Sequence, residues 1–169
     1  MTAEDRLWFE DQIGEMQKAL YNVAYCIVGN SSDAQDAVCD ALLSAWQDFM
    51  KLRDRSYFKA WLMKILKFRA YDILRKNRRY VEYDDRLLAE TPEDFRDETG
   101  DIEREESVRQ AIAQLPKEQR LAVTLFYMED YSIKEISKIM QCTDGTTKSR
   151  LSRARDKLKE LLEGGEYDA

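Results

Sequence analysis

Eight apolar residues recur at helical spacing between Ala34 and Phe49: Ala34, Ala37, Val38, Ala41, Leu42, Ala45, Trp46 and Phe49. A stripe of this period is buried together only on one face of a helix, because in a strand the same residues would fall on both faces. Little in the chain would interrupt such helices. Its 169 residues include six Gly and two Pro, and Leu, Ala, Lys, Glu, Arg and Asp dominate the long uninterrupted stretches. The pattern predicts an all-α fold. This helix is read from Asp33 to Phe49, with Ser32 and Gln35 as a capping box at its start. Asp36, Asp40 and Ser44 lie on its opposite face, which is either simply solvated or a docking surface for a basic partner.

Charge divides the chain into unlike parts. The first 48 residues hold nine acids and two bases, whereas Lys59–Tyr80 holds eight bases and one acid, Asp72. Val81–Glu106 carries twelve acids against three arginines, and Thr146–Glu160 turns basic again, six against two. The net charge of −6 averages over these blocks, so it does not exclude nucleic acid as a partner. Two helical domains are predicted, at 1–80 and 106–163, joined by an acidic flexible linker at 81–105. Thr91-Pro92 and Gly100 break that linker, and a fraying tail follows at 164–169.

Several functional classes fall away. There is no histidine, hence neither the commonest general base nor the commonest zinc ligand. No Gly-rich phosphate loop or nucleophile elbow is present, and no catalytic, metal-binding or cofactor-binding residue is expected. Cys26, Cys39 and Cys142 are scattered without metal spacing and read as reduced, structural thiols. No apolar run approaches the ~20 residues of a membrane span. The acidic start MTAEDRLWFEDQ lacks the features of a signal peptide, so a cytoplasmic location is expected.

Two segments carry binding chemistry. In the helix from Tyr57 to about Arg79, Phe58, Trp61, Leu62, Ile65, Leu66 and Ile73 form a core side. Lys64, Phe68, Tyr71, Arg75 and Arg78 or Arg79 share another side. Cations neutralise phosphates and rings stack on unpaired bases, so the stripe suits single-stranded nucleic acid; alternatively, Phe68 and Tyr71 pack in a helix contact. Near the carboxyl end, Ser132-Ile133-Lys134-Glu135 reads as a capping box for a short helix with Ile133, Ile136 and Ile139 inward. Gln141–Gly145 reads as a turn, with Gly145 free to take a positive φ. Thr146 then opens a basic helix with Leu151, Ala154 and Leu158 as its apolar stripe. The preceding helix, Lys117–Met128, starts after Leu115-Pro116. This order is that of a helix-turn-helix in a four-helix domain, whose second helix enters the major groove. The same pattern also fits an ordinary basic amphipathic helix in a bundle.

LYNVAYCIVGNSSDAQDAVCDALLSAWQDF and FKAWLMKILKFRAYDILRKNRR resemble region 2 of the extracytoplasmic-function (ECF) sigma factors of the sigma-70 family. AIAQLPKEQRLAVTLFYMEDYSIKEISKIMQCTDGTTKSRLSRARDKLKELL resembles region 4. The resemblance covers nearly the whole chain except the linker and the termini. It implies binding to core RNA polymerase, at the β′ clamp helices and the β flap. Asp33, Asp36, Cys39, Asp40, Leu43 and Ser44 would touch the clamp. It implies promoter DNA as the second partner. Lys64, Lys67, Phe68, Tyr71, Arg75, Lys76, Arg78 and Arg79 would recognise and melt the minus-10 element. Thr146, Thr147, Lys148, Ser149, Arg150, Ser152 and Arg153 would read the minus-35 element. It also implies an anti-sigma factor, and neither a small-molecule substrate nor direct membrane insertion. The chain departs from the family pattern at Cys39-Asp40, often Gln-Glu, at Phe68, often Asn, and at Thr147, usually Val.

The rival readings are a stand-alone helix-turn-helix regulator and a small enzyme. The first would bind a duplex operator without polymerase. The second lacks a visible catalytic constellation.

Overall fold

The computed structural model describes residues 1–80 and 102–167. The expected linker lies almost wholly outside the described residues. Two compact units carry the helices, α1–α3 in the first and α4–α7 in the second, and no strand occurs among the described residues.

In the first unit, α1 spans Ala3–Val28, α2 Ser31–Asp48 and α3 Phe58–Tyr80. Helix α1 starts at Ala3 because Thr2 and Asp5 form a reciprocal cap. The Asp5 N–H donates to Thr2 Oγ1 at 3.1 Å and the Thr2 N–H to Asp5 Oδ2 at 2.9 Å. It ends at Gly29, whose φ of 83° is one that a Cβ would oppose. Asn30 then caps α2, accepting from the Asp33 N–H at 2.9 Å. The expected Ser32–Gln35 capping box is therefore not formed. Asn30 reaches the free N–H groups first and the helix begins at Ser31.

The apolar stripe of α2 is inward as expected. Ala34, Ala37, Ala41 and Ala45 are completely buried. Their single methyls let α1 and α3 approach closely, and an added methylene at such sites costs about 1–3 kcal/mol. Phe58, Leu62, Met63 and Leu66 of α3 and Leu20, Val23 and Ala24 of α1 complete the interior. At one end, Phe9 meets the rings of Trp46, Phe49 and Phe58 edge-on, Trp8 meets Phe58 edge-on, and Arg55 lies 4.8 Å from the Trp8 ring centre. Arg55 also pairs with Asp5. This cluster anchors the short 3-10 turns at Phe49–Lys51 and Arg55–Tyr57 that lead into α3.

In the second unit, α4 spans Ile102–Ala113, α5 Lys117–Val123, α6 Ile133–Met140 and α7 Asp144–Tyr167. Leu115, Ala122, Val123, Leu151 and Ala154 form a core, with Ile112, Phe126, Ile133, Met140 and Leu158 packed against it. The end of α5 widens into a π turn over Thr124–Met128. One boundary differs from expectation: α7 runs through Gly164 and Gly165 rather than stopping there. Glycine makes a helix less favourable by ~1 kcal/mol relative to Ala but does not forbid helical dihedrals.

Candidate nucleic-acid interface

Helices α6 and α7 form the expected helix-turn-helix, though its turn is built differently. Ser132 caps α6, accepting from the Glu135 N–H at 3.1 Å. Ile136 and Ile139 are buried, and Ile133 is half-buried. The left-handed residue of the turn is Gln141, with φ 55° and ψ 51°, where Gly145 was expected. Gly145 instead lies in the first turn of α7, capped by Thr143, whose Oγ1 accepts from the Thr146 N–H at 3.1 Å. Asp144 is the first residue of α7 and is exposed. A carboxylate there suits the positive end of the helix dipole.

The capping register decides which side chains face outward. Lys148, Ser152 and Arg153 are exposed, and Thr146 and Ser149 are half-buried. Thr147 does not belong to the reading surface. It is fully buried, with its hydroxyl 2.8 Å from Ser137 Oγ and 3.3 Å from Cys142 Sγ. Its role is to fasten α7 to α6. Arg150 bends into a groove between α5 and α7. There its NH2 lies 3.2 Å from Glu118 Oε2 and its NH1 donates to Cys142 Sγ at 3.6 Å. Thr146, Ser149 and Arg153 line the same groove with Glu118 and Gln119. The sequence signal for Thr143 as the cap was its place three residues ahead of Thr146. No local signal pointed to Glu118.

In the first unit, α3 presents the cationic stripe. Arg75, Lys76 and Arg78 are exposed, Lys64 and Tyr71 are half-buried, and Arg75 pairs with Asp72. Phe68 is 42% exposed, which removes the reading of it as a core residue. Lys67 is buried along its stem, with its ammonium 4.6 Å from the Phe68 ring centre. Its charge therefore lies against the Phe68 ring rather than at the end of an extended, solvated side chain. Arg79 falls on α3, but its side chain lies outside the described residues.

On α2, Asp36, Cys39, Asp40 and Leu43 are exposed along one face and Ser44 is half-buried. Leu43 at 59% exposure and Met50 at 67% are large apolar groups open to solvent near that acidic face. Asp33 is set apart from the outward group. Its Oδ2 accepts from Asn30 Nδ2 at 2.8 Å and from Asn77 Nδ2 at 2.6 Å. The carboxylate thus ties the start of α2 to the basic end of α3. Asn77 was missed because the bond joins residues far apart in the chain.

Comparison with known proteins gives a consistent result. Residues 13–80 match the family model Sigma-70 region 2, and residues 105–158 match Sigma-70, region 4. The chain is 32% identical over 160 residues to the ECF RNA polymerase sigma factor SigM of Mycobacterium tuberculosis, covering 95% of this chain and 80% of that one. It is 36% identical over 152 residues to the ECF RNA polymerase sigma factor EcfG of Rhodopseudomonas palustris, covering 90% and 83%. Among solved structures it resembles the sigma factor RpoE in complex with the anti-sigma factor NepR from Bartonella quintana. That similarity has a TM-score of 0.78 and 31% identity, and covers 92% of this chain and 96% of that one.

Proposed function

The chain belongs to the ECF sigma factors of the sigma-70 family, and from that premise we propose how its surfaces divide the work of promoter recognition. As a sigma factor it directs RNA polymerase to promoters and takes part in transcription initiation. The first unit, 1–80, holds the polymerase and the minus-10 element, while the second, read as 106–163, holds the minus-35 element. The outward face of α2, with Asp36, Cys39, Asp40, Leu43 and Ser44, docks on the basic β′ clamp helices. Leu43 supplies an apolar anchor and the carboxylates steer the encounter. The α3 stripe of Lys64, Tyr71, Arg75, Lys76 and Arg78 takes phosphates of the melted strand. Phe68 offers a ring to an unpaired base, with Lys67 beside it.

Helix α7 enters the major groove at the minus-35 element. Lys148, Ser149, Ser152 and Arg153 divide phosphate positioning from base reading, with Arg150 at the groove edge. The second unit also meets the β flap. The protein works in the bacterial cytoplasm with the polymerase; no helix among the described residues is long and apolar enough to cross a membrane. An anti-sigma factor covering these faces would hold it inactive, as supported by the similarity to a sigma factor captured with its anti-sigma partner. The protein contributes binding and no catalysis of its own.

The observation that carries this reading is the cap at Thr143, which aims the first turns of a basic helix outward from a buried helix-turn-helix joint. Run-off transcription with purified core polymerase on a genomic promoter library tests it. Sequence-selective transcripts are expected, and the double substitution R150A/R153A should abolish dependence on the minus-35 element while polymerase binding persists. Unchanged minus-35 dependence would remove α7 from the promoter.

A further inference from the structure

Resting on the reading of α3 as the minus-10 helix, we propose that Asn77 and Asp33 are positioning residues for the minus-10 grip. Their hydrogen bond ties the cationic end of α3 to the start of α2, so that Lys76 and Arg78 meet promoter phosphates from a fixed frame. Asn77 Nδ2 donates to Asp33 Oδ2 at 2.6 Å. The acceptor is itself held in place. Asp33 Oδ2 also accepts from Asn30 Nδ2 at 2.8 Å, and the Asp33 N–H donates to Asn30 Oδ1 at 2.9 Å. The carboxylate lies in the first turn of α2, where the helix dipole favours negative charge.

The place of this bond along α3 gives it its role. Phe58, Leu62, Met63, Leu66 and Ala70 are buried, and among the described side chains of α3 none after Ala70 is. Asn77 stands roughly 10 Å farther along the axis. Arg75, Lys76 and Arg78 around it are exposed, while Asn77 is half-buried. Cations three apart on a helix repel, as Arg75 and Arg78 are, and Asp72 offsets only Arg75. A helix end with little apolar cover and repelling charges opens readily unless something fastens it. An end that opens in the free protein must be ordered again on DNA, and that ordering weakens the complex. The tie removes this penalty without touching DNA. It also separates Asp33 from Asp36 and Asp40, because its carboxylate serves the DNA helix rather than the polymerase face.

The test uses the full chain bound to core polymerase. The probe is a promoter recovered from the run-off library, with its minus-10 non-template strand left unpaired. Alanine favours helix over asparagine, so Asn77→Ala should keep the helix content and stay folded in melting curves. Affinity for the probe should nevertheless fall about threefold to tenfold, while affinity for core polymerase holds. Asn77→Leu, near in size and without a donor, should match that loss. Asn77→Gln, which keeps the amide on a longer arm, should recover part of it. Asp33→Ala should lose the same factor, and D33A/N77A no more than either alone, since both remove one bond. In a K76A/R78A background, Asn77→Ala should change affinity by less than about twofold, because the tie has little left to place. Full affinity in both N77A and N77L overturns the proposal, and so does a loss that persists undiminished in K76A/R78A. Weakened polymerase binding in D33A but not in N77A overturns it too and returns Asp33 to the polymerase face. If K76A/R78A alone binds the probe as tightly as wild type, the minus-10 reading of α3 fails, and the proposal with it.

Discussion

Thr147 shows how burial reassigns a residue. It sits among the residues proposed to face DNA yet is sealed against Ser137 and Cys142. Ser137 keeps a second bond to the Ile133 carbonyl at 2.7 Å, so deleting the Thr147 hydroxyl strands no donor. Thr147→Val should therefore change stability by less than about 1 kcal/mol in denaturant titrations and leave minus-35-dependent transcription intact. Loss of promoter binding without loss of stability would return Thr147 to the DNA face. Asp5 makes a pH-dependent counterpart. The Thr2 N–H and hydroxyl, then Arg55, hold its carboxyl below the ordinary value of 3.8. A group depressed in the folded state stabilises above its unfolded value and loses that contribution as pH falls through the folded one. Between pH 5 and pH 3, wild-type protein should lose more stability than Asp5→Asn, read as the shift in urea midpoint. Equal losses would show that the cap carries no titrating contribution.

At the scale of elements, helix α2 could be read from sequence because its period is written in eight residues and nothing distant needs to be known. Its start was misplaced because Asn30 and Ser32 are both good caps, and only the path out of the Gly29 turn selects between them. The turn before α7 was misread for a related reason. Glycine is the usual left-handed residue, yet here Gln141 takes that conformation and the Thr143 cap draws Gly145 into the helix. The α3 stripe was legible as a face, but the division between exposed Arg75, Lys76 and Arg78 and the buried stem of Lys67 required the packed neighbours. Asp33 was grouped with Asp36 and Asp40, although its partner Asn77 arrives from another helix. The two classes of carboxylate predict different outcomes. Reversing Asp36 and Asp40 to Lys should weaken core-polymerase binding at least tenfold in a pull-down titration and leave the melting temperature near wild type. Unaltered binding would take this face out of the interface.

For the whole molecule, net acidity and DNA binding coexist because charge is sorted by surface. The two cationic helices belong to separate units, so their phosphate contacts should add. Alanine at Lys148 and Arg153 should lower the logarithmic salt slope of promoter binding by up to about 2, as should alanine at Lys76 and Arg78. The fourfold variant should show the sum, and a shortfall would mean that the two grips are not independent. Helix α7 also has a consequence outside recognition. It runs 24 residues from Asp144 to Tyr167 as one rod, so Glu163 stands roughly 28 Å along the axis from its first turn. A tilt of about 10° at the near end would swing a dye on Glu163 by ~5 Å. That lever makes seating on a promoter measurable by fluorescence energy transfer without a label near the bases.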